Sequence, residues 1–312
     1  MPLLEIRGLV KTYSSRRVVD GVDFHVGAGE IVGLLGPNGA GKTTTFRIVM
    51  GIIKSEAGTV KLMDEDITRL PMYKRARHGM GYLSQEPSIF RNMTVEDNVM
   101  SILETQNLTR TARRDRLAEL LGDMNLARLS KSIAHTLSGG ERRRLEICRA
   151  LVASPSILLL DEPFSGVDPK ACEDIQKIIY SLQDRGISIL ITDHNVFETF
   201  TIVDRAYIIR NGKVLKQGSP QELVEDPEAR RLYLGDKFAE YGDAFRHLRD
   251  EVRRKGKDAP LVKIGAATKV LRREEDEAAR ERAAAEGLLP GPDAPDEAEA
   301  PMIGAAEEGD ME

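Results

Sequence analysis

The chain is 312 residues long and 41 % hydrophobic, which is long for one domain and enough to bury a sizeable core. No stretch approaches the ~18 uninterrupted apolar residues of a membrane helix, and Met1 to Leu9 lacks the charged-then-apolar form of a signal peptide, so a soluble cytoplasmic protein is expected. The net charge of −5 is unevenly carried: residues 274–312 hold 14 acidic and 2 basic side chains, leaving the remainder net positive.

Leu4 to Val10 and Val18 to Val26 alternate apolar and polar residues, and Thr59 to Leu62 adds another β-like piece, predicting an antiparallel flank before and after residues 36–44. Ile31 to Leu35 is an apolar strand that runs into GPNGAGKTT, Gly36 to Thr44. Gly36, Gly39 and Gly41 permit a tight loop whose backbone N–H groups converge on the β- and γ-phosphates of a nucleotide. Pro37, Asn38 and Ala40 complete the GxxxxGKT pattern, and a helix from near Lys42 through Thr44 to Met50 adds its positive end. Lys42 supplies a point charge between β- and γ-oxygens, and the Thr43 hydroxyl is placed to ligate Mg²⁺ beside ATP.

After a strand at Met80 to Leu83, the stretch Gln85 to Leu137 changes to helical patterns. Thr94 with Asp97 reads as a capping box, and Leu108 to Leu121 is a charged amphipathic helix. Phe90, with Arg91 beside it, lies in a loop rich in Pro, Ser and Asn. It either tucks into its own subdomain or anchors a partner. Leu137 to Glu141 reads LSGGE: Ser138 offers a hydroxyl, Gly139 and Gly140 offer backbone N–H groups, and a helix from Glu141 to Ala153 would attract an anion at its start. That is a second γ-phosphate site, facing outward from the first. A two-fold dimer could sandwich nucleotide between one copy's cradle and its partner's LSGG.

Ile157 to Leu160 is a short apolar run suited to a buried parallel strand, ending in Asp161 and Glu162. By itself this is an Asp-Glu-Pro turn after a core strand. With the cradle present, Asp161 would hold Mg²⁺ through water and Glu162 would act as general base on the attacking water. Ser188 to Thr192 and Ala206 to Arg210 are further core strands, Asn211 and Gly212 make a hairpin turn, and Ser219, Pro220 and Glu222 start a helix. These elements predict an α/β fold: a P-loop NTPase core with a mainly parallel sheet, an antiparallel β flank and an inserted α-helical subdomain at about residues 86–137. Cys148 and Cys172 fall in helical patterns without C-x-x-C spacing and read as reduced thiols. Beyond a domain spanning residues 3–236, Phe238, Tyr241, Phe245, Leu248 and Val252 recur at helical spacing, predicting an amphipathic extension over 237–273. The acidic remainder, 274–312, reads as a solvated disordered tail.

In their order and spacing these motifs resemble the ATP-binding cassette family over residues 3–236. The resemblance implies that Tyr13 stacks on adenine, that Gln85 links the γ-phosphate and Mg²⁺ to the helical subdomain, and that His194 contacts the γ-phosphate. Glu162, His194, Gln85 and Lys42 would form the catalytic set. Ser165 to Asp168 is similar to the loop that crosses the dimer interface, although it reads SGVD where SALD is commoner, and Glu141 stands where many members carry Gln. Neither departure touches a catalytic group.

Residues 84–100, TLSGGERRRLEICRAL and FSGVDP look most like the lipopolysaccharide-export ATPases of that family, with branched-chain amino-acid importer ATPases closely related. The implied partners are a second copy of this subunit and two transmembrane permease subunits of the LptF and LptG type. A coupling helix from each permease would enter the groove lined by Phe90 and Arg91. The transported lipid would be contacted only indirectly, no nucleic acid is expected, and the location is the cytoplasmic face of the inner membrane. A soluble clamp of the same family would carry two cassettes or a long coiled-coil insertion. Ser138 follows Lys42 by only 96 positions, which leaves room for a compact subdomain alone.

Overall fold

The computed structural model describes residues 2–235 and, beyond them, His247, Asp250, Glu251 and Arg254. In chain order the elements are β1 (Pro2–Tyr13), β2 (Arg16–Gly27), β3 (Ile31–Leu35), α1 (Lys42–Val49), β4 (Ala57–Leu62), β5 (Glu65–Asp66), α2 (Met72–Arg77), β6 (Met80–Leu83), α3 (Val95–Leu103) and α4 (Arg110–Asp123). They continue with α5 (Gly139–Leu151), β7 (Ile157–Asp161), α6 (Pro169–Asp184), β8 (Ser188–Thr192), α7 (Val196–Phe200), β9 (Arg205–Arg210), β10 (Lys213–Gly218), α8 (Pro220–Glu225) and α9 (Pro227–Ala229).

Two sheets organise the chain. An antiparallel sheet runs β2-β1-β4-β5, and a six-stranded sheet runs β10-β9-β3-β8-β7-β6 with every pairing parallel except β9 with β10. Strands β3, β7 and β8 are buried at every position, as largely apolar strands covered on both faces are. The two-residue side-chain period of a strand divides them between two cores. Val32, Leu34, Ile157 and Leu159 pack toward the antiparallel sheet with Leu4, Ile6 and Phe24, whereas Ile31, Leu35, Leu158 and Leu160 pack toward the helices with Leu145, Ile175 and Ile179.

Because β3, β6, β7 and β8 run in one direction, their C-terminal ends share one edge. Gly36, Ser84, Glu162 and Asp193 are the residues that follow them there. Ligands of open α/β sheets bind at such an edge. The hairpin between β9 and β10 turns at Asn211 (φ 50°) and Gly212 (φ 77°), the pair of positive φ values that Asn-Gly favours. The same turn accepts at Gly212 O from Asp20 N–H and donates from Gly212 N–H to Ala40 O. It thereby props the phosphate loop from beneath.

Two local expectations change. Thr94 caps α3 by accepting from Asp97 N–H, but Asp97 answers the Thr94 hydroxyl at 2.6 Å and leaves its backbone N–H alone. Aspartate is one methylene shorter than the glutamate of a full capping box. Helix α5 begins at Gly139, two residues before the expected Glu141, because Ser138 and Glu141 form that full box. The amphipathic pattern through Phe238, Tyr241, Phe245, Leu248 and Val252 and the acidic tail lie outside the described residues. Among the described residues no helix is long and apolar enough to cross a membrane.

Candidate functional site

The cradle is a loop between β3 and α1 with a buried base and an exposed rim. Gly36, Ala40 and Gly41 are buried; Pro37, Asn38 and Gly39 face outward. Gly36 is obligatory, since a Cβ there would sit 2.1 Å from Ile209 O. Lys42 is 6 % exposed and folds back, donating from Nζ to Gly36 O at 2.6 Å and to Pro37 O at 3.1 Å. Burial pulls its ammonium below the usual lysine range, opposed by the carboxylates of Glu162, Asp161 and Asp193. Thr43 and Thr44 are half-buried in the first turn of α1. Tyr13 closes β1 as an exposed ring with Lys11 Nζ 5.4 Å from its centre.

Opposite the cradle, three strand ends meet at one carboxylate. Glu162 Oε2 accepts from Gln85 Nε2 at 2.9 Å and lies 3.4 Å from His194 Nδ1. The Glu162 backbone is left-handed (φ 49°), held there by its N–H donating to Thr192 O at 2.7 Å. Asp161 is 2 % exposed. The Tyr82 hydroxyl donates to its Oδ2 at 3.4 Å, while Oδ1 is sealed from solvent without a partner. Burial, with the Glu162 carboxylate second, pushes Asp161 up to about 6.

A Thr43 hydroxyl, a Gln85 amide and a Asp161 carboxylate make an all-oxygen set, the hard donors that Mg²⁺ takes. The orphaned Asp161 oxygen is the kind of buried atom a metal-bound water would satisfy. The residues present fit the ion.

Three residues that the sequence reading passed over build this edge, Asp193 and Arg143 buried and Tyr82 half-buried. Asp193, fully buried, accepts from Asn195 N–H at Oδ1 (2.9 Å) and from Phe164 N–H at Oδ2 (3.0 Å), tying the β8 and β7 exits together. Arg143 on α5 donates to Ser84 O (3.0 Å), Asp161 O (3.2 Å), Glu162 O (3.0 Å) and Pro163 O (3.2 Å), and pairs with the buried Glu146 at 2.8 Å. Both had a signal. Asp193 is an acid at the end of an apolar strand, and Arg143 falls on the buried stripe Gly140, Arg143, Ile147, Leu151 with Glu146 one turn on. Tyr82, at the third position of β6, had none.

Ser138 Oγ accepts from Glu141 N–H at 3.3 Å, and Glu141 Oε2 accepts from Ser138 N–H at 2.8 Å. These bonds hold the Glu141 carboxyl below its usual range. The box leaves the Gly139 and Gly140 N–H groups outside it. Ser138 and Gly139 are exposed, but Gly140 is buried, with room for no Cβ because that atom would meet Ala171 Cβ at 2.8 Å. Gly140 thus also packs α5 closely on α6. Asp168 is the exposed N-cap of α6, accepting from Ala171 N–H at 3.0 Å.

Phe90 is 48 % exposed, with the Arg149 guanidinium 4.7 Å above its ring. Its backbone is fixed by Asn98, which accepts from Phe90 N–H at 2.8 Å and donates to Phe90 O at 3.0 Å. Arg91 is exposed beside it, its carbonyl accepting from His135 N–H at 3.0 Å. The ring is thus about half exposed, with Arg149 of α5 covering part of it.

A family model described as ABC transporter matches residues 19–165. The chain is 54 % identical over 236 residues to the lipopolysaccharide export system ATP-binding protein LptB of Acidithiobacillus ferridurans, covering 76 % of this chain and 98 % of that protein. It is 50 % identical over 239 residues to the protein of the same name from Escherichia coli K12, covering 76 % and 99 %. Among solved structures, a nucleotide-free ATP-binding cassette from an ABC transporter superposes with a TM-score of 0.68 at 27 % identity, covering 75 % of this chain and all of that one. The chain belongs to the ATP-binding cassette transporter family. It is the nucleotide-binding subunit that hydrolyses ATP to drive transport.

Proposed function

We propose that this subunit powers lipopolysaccharide extraction from the inner membrane for export to the outer membrane. The observation that carries the reading is identity of 50–54 % to proteins named for that export, running through 98–99 % of their length. Branched-chain amino-acid import is the competing cargo. The chemistry follows from the strand edge. Glu162 Oε2, held by Gln85 and His194, takes a proton from the attacking water. Lys42 leaves the carbonyls of Gly36 and Pro37 for the β- and γ-phosphates, His194 meets the γ-phosphate, and Tyr13 stacks on adenine. Thr43, Gln85 and Asp161 would hold Mg²⁺, which when bound neutralises charge on the phosphates.

Two copies complete two sites. The exposed helix start at Ser138 and Gly139 supports this, as does the solved dimeric structure of MJ0796, a bacterial ABC transporter cassette superposing at a TM-score of 0.63 and 25 % identity. Asp168 would line the same interface. The permease pair docks on Phe90 and Arg91 at the cytoplasmic face of the inner membrane. The test is reconstitution with the copurified transmembrane pair in lipopolysaccharide-loaded proteoliposomes. ATP-dependent release of lipopolysaccharide is expected, and a complex that instead takes up leucine would overturn the cargo.

A further inference from the structure

The hairpin that carries Tyr13 also sets an arginine beside it. Strands β1 and β2 turn at Ser14 (φ 45°) and Ser15 (φ 69°), two positive φ values in succession, as in a type I′ turn. The turn pairs Tyr13 directly with Arg16. Residues directly opposite on antiparallel strands put their side chains on one face of the ribbon, so Arg16 flanks the Tyr13 ring.

The same ribbon leads to the phosphate loop. Pairing passes from Lys11 with Val19 to Thr12 with Arg17, which makes Val18 the extra residue of a bulge. The Val18 carbonyl abuts the start of α1: a Cβ on Gly41 would stand 2.3 Å from Val18 O, and one on Gly212 would stand 2.8 Å from it. Arg16 thus lies two strand residues, about 7 Å, from the base of the cradle, a span that an extended arginine side chain covers. Its neighbour is already committed. Arg17 Nη1 pairs with Asp20 Oδ1 at 3.0 Å, and Asp20 Oδ2 takes Lys213 Nζ at 3.2 Å. Arg16 is exposed and enters no hydrogen bond or ion pair among the described residues. An uncommitted guanidinium between an aromatic ring and a phosphate cradle is a ready partner for phosphate oxygens.

We propose that Arg16 is a nucleotide-binding residue, a role that rests on the nucleotide site proposed above: its guanidinium holds the α-phosphate, between the base on Tyr13 and the phosphates in the cradle. Arg16→Gln in the full chain removes the charge at an exposed position. Titration calorimetry with Mg·ADP should show affinity about tenfold weaker, the size of a charge-assisted hydrogen bond, with the melting temperature without nucleotide unchanged. Because the contact is exposed, the gap between variant and parent should narrow from about 0.1 M to about 1 M salt. Arg16→Lys should recover part of the loss, and Arg17→Gln, which removes the same charge one residue away, should bind as the parent does. Parental affinity in Arg16→Gln overturns the proposal. So does an equal loss in Arg17→Gln, which would reduce the effect to the general field of the protein, and so does a lowered melting temperature. A loss independent of salt would move Arg16 to the base or ribose and overturn the phosphate contact. A parent that binds no Mg·ADP would instead overturn the nucleotide site itself.

Discussion

Arg143→Met removes the guanidinium that binds four carbonyls on the exits of β6 and β7 and keeps most of the side-chain volume. It also strands Glu146, a carboxylate only 5 % exposed whose Oε2 is 2.8 Å from Arg143 Nη1. Breaking a buried pair from one side costs about 3–5 kcal/mol, which at roughly 2–4 °C per kcal/mol lowers the melting temperature by about 6–20 °C. Arg143→Met with Glu146→Leu removes the stranded charge, so most of that stability should return. Turnover should not return. Ser84 O precedes Gln85 and Glu162 O belongs to the residue proposed as base, so loosening both costs up to about 10²-fold even away from the chemistry. Calorimetry on the single and double variants, with steady-state ATPase assays below the lower melting point, separates the two effects. A double variant with parental turnover would refute the positioning role.

Glu162→Gln keeps the bond to Gln85 but removes the base. Hydrolysis should fall by roughly 10²- to 10⁴-fold while ATP binding and an ATP-dependent dimer on gel filtration persist; parental turnover would exclude Glu162 as base. Asp161, pushed up to about 6 from 3.8 by burial, holds a proton in the folded chain that the unfolded chain has released. The neutral acid thus contributes stability that is present below about pH 4 and lost as pH rises through about 6. Asp161→Asn should therefore melt higher than the parent at about pH 8, with the gap closing near pH 4, and should lose hydrolysis. Phe90→Ala removes an exposed anchor that could contribute about 2 kcal/mol to a partner, so copurification with the permease pair should fail while the isolated subunit still hydrolyses ATP. Loss of ATP binding by the free variant would contradict that surface role.

Much of the site was legible in the chain. Phosphate binding needs small residues, a lysine and a hydroxyl at fixed local spacing, so residues 36–44 declare it without tertiary information. Apolar runs likewise announced β3, β7 and β8, whose buried polar residues Asp161, Ser188 and Thr192 stand only at strand ends. Caps were readable too, each being settled within four residues, and the one that failed, Thr94 with Asp97, failed by a side-chain length.

What the tertiary structure decided is everything that depends on meeting across the sheet. That Gln85 and His194 converge on one oxygen of Glu162 follows from three parallel strands ending at one edge, and residues separated by 77 and 32 positions carry no local trace of it. Arg143 falls by spacing on the buried stripe of α5, but nothing local says which groups it meets there. Only the packing of α5, fixed by the close approach of Gly140 to Ala171, turns it inward onto the carbonyls of the catalytic loop. Local chemistry is written in spacing, whereas long-range convergence is set by which faces must be buried together, and that choice is made only when the whole core forms.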